Sequence, residues 1–205
     1  VSSRKLDACE TVAADIRAAG GQAVAVAAHI GEPSAIDALF NELDANGLTP
    51  DLLVNNAAAN PYFGPMLDMG IDAYHKTVDV NIRGYWYTTQ QAARRMLTKG
   101  AGAILLSGAT AGVKGFALSA TFAMGKFALR GLAQSMAREL SPKGIHVAHF
   151  IIDGGIAGTR GSRAANENDV LLSPQAIAET YLATHKQHRS AWTQEIDLRP
   201  WNESF

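Results

Sequence analysis

The stretch from Ala103 to Leu140 constrains this chain more than any other. It opens with a short apolar run, Ala103 to Leu106, closely bounded by glycine, as expected of a parallel strand buried on both faces. A loop of Gly, Ala, Ser and Thr follows. Leu129, Leu132, Met136 and Leu140 then recur at helical spacing, up to a stop at Ser141-Pro142 and Lys143-Gly144. Phe122 and Lys126 lie four residues apart, so they share one face of that helix just past the end of the strand.

The rest of the chain repeats this alternation. Leu6 to Ala19 reads as a helix ended by Gly20-Gly21, and Gln22 to Ile30 as an Ala- and Val-rich buried strand. Pro33 begins a helix whose apolar stripe is Ile36, Leu39, Phe40 and Leu43, and Asp51 to Asn55 is another strand. After the loop Asn60 to Pro65, helical sequence runs from about Asp72 to Lys99. Ile145 to Ile152 is a strand, Asn166 to Asp169 a polar loop, Pro174 to Gln187 a helix and Thr193 to Leu198 a last strand. The pattern predicts one α/β domain over residues 1–205, a Rossmann-like doubly wound parallel sheet in three α/β/α layers. No Gly-rich strand-to-helix turn is present. In such a sheet that turn follows the first, central strand and cradles a pyrophosphate. The expectation is therefore a domain that is incomplete at its N-terminus, lacking the first strand and helix.

Several motifs in this frame resemble the short-chain dehydrogenase/reductase family. Its catalytic segment carries Tyr-x-x-x-Lys, with a Ser thirteen residues before the Tyr. Here the lysine is Lys126, the Tyr position is Phe122 and the Ser position is Ala109. Asn55-Asn56-Ala57-Ala58 is similar to the family's Asn-Asn-Ala-Gly at a strand end beside the adenosine ribose, although an Asn pair after a strand also serves as plain turn chemistry. Asp79-Val80-Asn81 looks like the helix position whose Asn holds a water in the family's proton relay; a helix-interior Asn bonding its own backbone is the plainer reading.

The same resemblance assigns the cofactor. Ser3-Arg4-Lys5 sits where the family meets the adenosine 2′ position, and an Arg there accommodates the 2′-phosphate of NADP, so NADP is expected in preference to NAD. His29-Ile30 replaces the usual Asp-hydrophobe pair, with Ile30 at the adenine. Asp153-Gly154-Gly155-Ile156 resembles the family's Pro-Gly-x-Ile turn, and Thr159 falls near the Thr that holds the nicotinamide carboxamide. The implied cofactor-binding set is Ser3, Arg4, Lys5, Ile30, Asn56, Ala57, Ala58, Lys126, Ile156 and Thr159. The implied catalytic positions are Asn81, Lys126, Phe122 and Ala109.

Two of those positions lack the expected chemistry. Reduction of a carbonyl by hydride transfer needs a proton donor at the oxygen as negative charge develops. Phe122 has no exchangeable proton and Ala109 no hydroxyl. Ser107, Thr110, Ser119 and Thr121 are hydroxyls near enough in sequence to substitute, with Thr110 and Thr121 first among them, or they simply line a polar loop. Three readings follow: an NADP-dependent oxidoreductase with an altered relay, a cofactor-binding but catalytically weak regulatory or partner subunit, and a doubly wound binding domain that takes no nucleotide. The substrate would be a small carbonyl or alcohol, with Tyr62, Phe63, Leu171 and Leu172 on the loops about it.

Composition narrows the partners. With 18 Lys and Arg against 19 Asp and Glu, the net charge of -1 favours neither nucleic acid nor an anionic membrane surface. No apolar run approaches the roughly 18 residues of a spanning helix. A single cysteine excludes an internal disulfide framework and suits a reducing, cytoplasmic location. Resemblance to the family implies a homodimer or homotetramer built on the helices at Asp72–Lys99 and Thr121–Leu140, with Tyr85, Trp86 and Tyr87 as anchors.

Overall fold

The computed structural model describes residues 1–158 and 170–202. Its elements are β1 (Ser2–Ser3), α1 (Leu6–Ala18), β2 (Val26–Ala27), α2 (Pro33–Ala45), β3 (Leu52–Asn55), α3 (Ile71–Val78), a π-helical turn (Asp79–Gly84) and α4 (Tyr85–Lys99). They continue with β4 (Gly102–Ser107), α5 (Ala120–Leu140), β5 (Ile145–Ile152), α6 (Pro174–His185) and β6 (Glu195–Leu198). All pairings are parallel, which is the doubly wound α/β arrangement expected.

The sheet falls into two blocks. β3, β4, β5 and β6 lie side by side in that order, while β1 pairs only with β2. Gly102 to Ser107 run opposite Ile145 to Phe150 without a break, so β4 and β5 form the longest ladder. One face of this pair, with Ile104, Leu106, Ile145 and Val147, packs on α2, α4 and α5 through Ile36, Phe40, Met96 and Leu129. The other face, with Leu105, Ala148 and Phe150, packs on Tyr181 of α6 and on Ile196 and Leu198. Ile104, Leu105, Leu106, Ile145 and Phe150 are wholly buried, and each such side chain contributes about 1.5–3 kcal/mol. Outside this centre the sheet thins. Val54 on β3 is 46% exposed, although its neighbours in sequence read as a buried strand.

Three expectations change in detail. The strand at Gln22–Ile30 contracts to Val26–Ala27, because β1 alone offers it a two-residue ladder. The last strand begins at Glu195 rather than Thr193. The helix expected from Asp72 to Lys99 is interrupted by the π turn, whose wider coil carries Asn81 inward. The Asn81 carboxamide accepts from the Ala59 N–H at 2.8 Å and donates to the Ala59 carbonyl at 2.7 Å, strapping the turn to the loop after β3. Gly125 of α5 allows that approach, since a Cβ there would stand 2.8 Å from Asn81 Cβ. Periodicity cannot reveal such a turn, because its cause lies on two other segments.

Candidate active site

In a doubly wound sheet, ligands bind in the crevice outside the carboxyl ends of the strands. Here that crevice opens into a cleft of about 630 Å³ between the two blocks of the sheet. Ser3, Arg4, Ile30, Asn56, Ala57 and Ala58 all line it. Leu53, Val54 and Val80 line it too, at the level of the strands. Asn56, Ala57 and Ala58 are exposed, as is Arg4, which has no acidic partner among the described residues. Lys5 does not line the cleft; it caps the start of α1 and points to solvent. His29 turns its Nδ1 to the Gly31 N–H at 3.0 Å, a local turn contact.

The catalytic positions lie deeper, around the end of β4. Lys126 is buried, and its Nζ donates to the Ser107 carbonyl at 2.8 Å. The rings of Tyr85 and Phe122 flank the ammonium at 5.6 and 5.7 Å. Burial lowers the Lys126 pKa from 10.5 to about 8. Ala109 is extended and leads into the short 3-10 turn Thr110–Gly112. Ile156 pairs with Leu172 in an isolated parallel bridge. Thr159 and the loop at Asn166–Asp169 lie outside the described residues.

The candidate substitute hydroxyls are mostly committed elsewhere. Thr110 donates to Asp153 Oδ1 at 2.5 Å, Ser119 to the Phe116 carbonyl at 3.2 Å, and Thr121 to Met69 Sδ at 3.5 Å. Ser107 differs, since its Oγ lies 2.7 Å from the hydroxyl of Tyr181. Tyr181 stacks on Phe150 with ring centroids 3.7 Å apart. Nothing in local sequence marks Tyr181, which reaches β4 from 74 residues away.

A second polar group sits on the opposite face of β5. Glu195 accepts from Arg130 Nε at 2.8 Å and Nη2 at 2.6 Å, a bidentate pair. A carboxylate only accepts, so the His149 Nδ1 that lies 3.0 Å from Glu195 Oε2 carries the proton. The Arg130 hydrogen bonds hold the Glu195 carboxyl below its usual range, and burial lowers the His149 imidazole. His149 Nε2 is buried against Gly108 without a hydrogen-bond partner among the described residues, and a Cβ on Gly108 would stand 2.2 Å from it. The sequence analysis missed this group, whose members come from three separate elements.

An apolar cavity of about 370 Å³ opens between α3 and α5, lined by Met66, Met69, Ile71, Tyr74, Thr121 and Met124 among others. Of the three anchors expected on the preceding helix, Tyr85 is wrong for the role, being a core residue 1% exposed. Tyr87 donates to Asp37 at 2.5 Å, and Trp86 alone stands half exposed.

The fold and the crevice define a doubly wound α/β protein built to hold a ligand at the carboxyl ends of its strands. Residues 1–169 match the family profile of the short chain dehydrogenases, and the chain belongs to that family. It is 37% identical over 149 residues to an L-rhamnose 1-dehydrogenase (NAD(P)(+)) of Azotobacter vinelandii, covering 72% of this chain and 57% of that protein. A crystal structure of a short-chain dehydrogenase from Rhodopseudomonas palustris shares 34% identity with a TM-score of 0.82, over 98% of this chain and 85% of that one. A metagenomic short-chain oxidoreductase solved in complex with NADP shares 26% with a TM-score of 0.84, over 98% of this chain and 85% of that one. The chain spans about half the length of the curated relatives it matches. Among the described residues, no helix is long and apolar enough to cross a membrane.

Proposed function

We propose that this chain is the body of a cytoplasmic oxidoreductase that interconverts a small carbonyl compound and its alcohol with NADP(H), through an altered proton relay. The observation that carries the reading is the convergence of Ser3, Arg4, Ile30, Asn56, Ala57 and Ala58 on one cleft at the carboxyl ends of parallel strands. NADP(H) suits these residues. An exposed guanidinium with no competing acid is a phosphate partner, and Ala57 and Ala58 put no bulk across the strand end. When bound, the cofactor would supply or take up the hydride. The solved relative in complex with NADP supports the same choice.

Within this reading Arg4, with Lys5 beside it, meets the 2′-phosphate, and Asn56 to Ala58 lie along the ribose. Ile156 would lie at the nicotinamide end. Lys126 reaches the second ribose by leaving the Ser107 carbonyl. Asn81 holds the π turn against the loop after β3, and Phe122 and Ala109 shape the carbonyl pocket without a proton to give. The strand-level part of the cleft takes a further parallel strand between β1 and β3, from a βα unit of roughly 30 residues that carries the Gly-rich turn. The protein works as a homodimer or homotetramer. The exposed Trp86, Met124 and Phe127 on α4 and α5 supply apolar surface for the contact, and light scattering at micromolar concentration should report more than a monomer.

Titration of the full-length protein with NADPH and NADH tests the reading. NADPH should bind more tightly, and Arg4→Asp should invert the preference by removing a donor and adding like charge. An unchanged ratio of the two dissociation constants would sink the assignment. The absence of a proton at Phe122 and Ala109 also favours a second reading, a subunit that binds cofactor but turns over weakly, which the absence of turnover across a carbonyl panel would support.

A further inference from the structure

We propose that His29 is a second ligand of the cofactor's 2′-phosphate, giving it a hydrogen bond from Nε2 beside the Arg4 guanidinium. The inference rests on the oxidoreductase reading and extends it. His29 lines the cleft of about 630 Å³ together with Arg4. The two side chains leave one pair of strand ends. The Ala28 N–H, just before His29, donates to the carbonyl of Ser3, just before Arg4, at 2.9 Å. Neighbouring strands lie about 4.8 Å apart, within the reach of a single phosphate. No carboxylate lines the cleft, and its other permanent cation is Lys76.

The backbone sets both the pose and the tautomer of the ring. His29 opens a turn in which its carbonyl accepts the Glu32 N–H at 2.9 Å and its Nδ1 accepts the Gly31 N–H at 3.0 Å. A backbone N–H only donates, so Nδ1 is the bare nitrogen and the neutral ring carries its proton on Nε2. Gly31 is needed for this pose, since a Cβ there would stand 2.8 Å from His29 Cε1 and 3.0 Å from Nδ1. The far side of the turn is held as well. Arg83 donates to the Gly31 carbonyl at 2.9 Å and is itself paired with Asp79 at 3.1 Å. With its lone pair committed to the turn, the imidazole offers the cleft a donor and no acceptor. A phosphate, with three acceptor oxygens, matches such a group; a ribose hydroxyl, which must also place its own proton, matches it less well. Arg4 supplies the charge that attracts the phosphate, and His29 the direction that fixes where it sits.

The test measures binding to the full-length protein by titration calorimetry, with NADPH, NADH, 2′,5′-ADP and 5′-AMP as ligands. His29→Ala should weaken NADPH and 2′,5′-ADP about tenfold, the lower worth of a hydrogen bond to a charged group, and leave NADH and 5′-AMP unchanged. The two unchanged ligands also certify the fold. Gly31→Ala pushes the ring aside with His29 still present, and should shift the same two constants in the same direction. His29→Gln restores an N–H donor and should recover part of the loss. Nitrogen NMR of the free protein should find the His29 proton on Nε2. Equal losses for NADPH and NADH would mean that the ring meets the base or the ribose, and would overturn the inference. Unchanged constants for all four ligands, or a ring protonated on Nδ1 alone, would overturn it too. In each of these cases cofactor still binds and the oxidoreductase reading stands. If neither cofactor binds the parent, that reading fails and the inference with it.

Discussion

Lys126→Met should make this protein more stable at neutral pH, and the gain should fade as the pH rises. Lys126 is buried at 4% exposure, and burial lowers its pKa from 10.5 to about 8. At about 1.36 kcal/mol per pH unit, that difference corresponds to about 3 kcal/mol. Below pH 8 the side chain is protonated in both states, and the folded state bears the whole cost. Between pH 8 and 10.5 the unfolded chain holds a proton that the folded one gives up, so parent stability rises with pH across this window. Methionine neither titrates nor carries charge into the core. The vacated Ser107 carbonyl costs about 1 kcal/mol at every pH. The variant should thus lead by about 2 kcal/mol near pH 7 and by about 1 kcal/mol near pH 9. Urea unfolding followed by tryptophan fluorescence measures both values. A variant less stable than the parent at neutral pH, with a deficit that does not change with pH, would show that the ammonium is not held at a desolvation cost.

Gly108→Ala should lower stability by about 1–3 kcal/mol, because the new Cβ meets His149 Nε2, and His149→Ala in the same chain should recover part of that loss in thermal unfolding. Glu195 has a carboxyl held below its ordinary 4.5, so its contribution is present above that pH and lost as the pH falls through the folded-state value. Glu195→Gln should flatten the acid limb of the stability profile, measured by urea midpoints at decreasing pH. Phe122→Tyr with Ala109→Ser should raise carbonyl reduction by about two orders of magnitude over the parent, by placing a phenol beside Lys126. No gain, with NADPH binding retained, would mean that the α5 face does not address the carbonyl.

Much of this architecture was legible because it is written locally. β4, α5 and β5 follow from apolar runs and helical spacing, and the motif positions Arg4, Asn56 and Lys126 follow from their offsets to those elements. What escaped was set by contacts between distant segments. The π turn depends on Ala59 and Gly125 receiving Asn81, and no periodicity encodes a strap across two loops. Tyr181 reads as one more apolar position on α6 until the fold carries its hydroxyl to Ser107. Tyr85 resembles its aromatic neighbours in sequence, yet its place on α4 turns it into the core while Trp86 faces out. Gly108 and His149 are unremarkable singly, and only β4 lying against β5 makes each the reason for the other.

The division of the sheet bears on how the protein behaves in bulk. Without the further strand proposed between β1 and β3, the outer edge of β3 presents backbone donors and acceptors with no strand partner among the described residues, beside the half-exposed Val54 and with no proline or lysine between Leu52 and Asn55 to discourage a foreign strand. Such an edge recruits any extended segment it meets, including the same edge of another molecule. Concentration, more than temperature, should therefore govern how long a chain lacking that strand stays dispersed, and a short parallel-pairing peptide should act on it as a solubiliser.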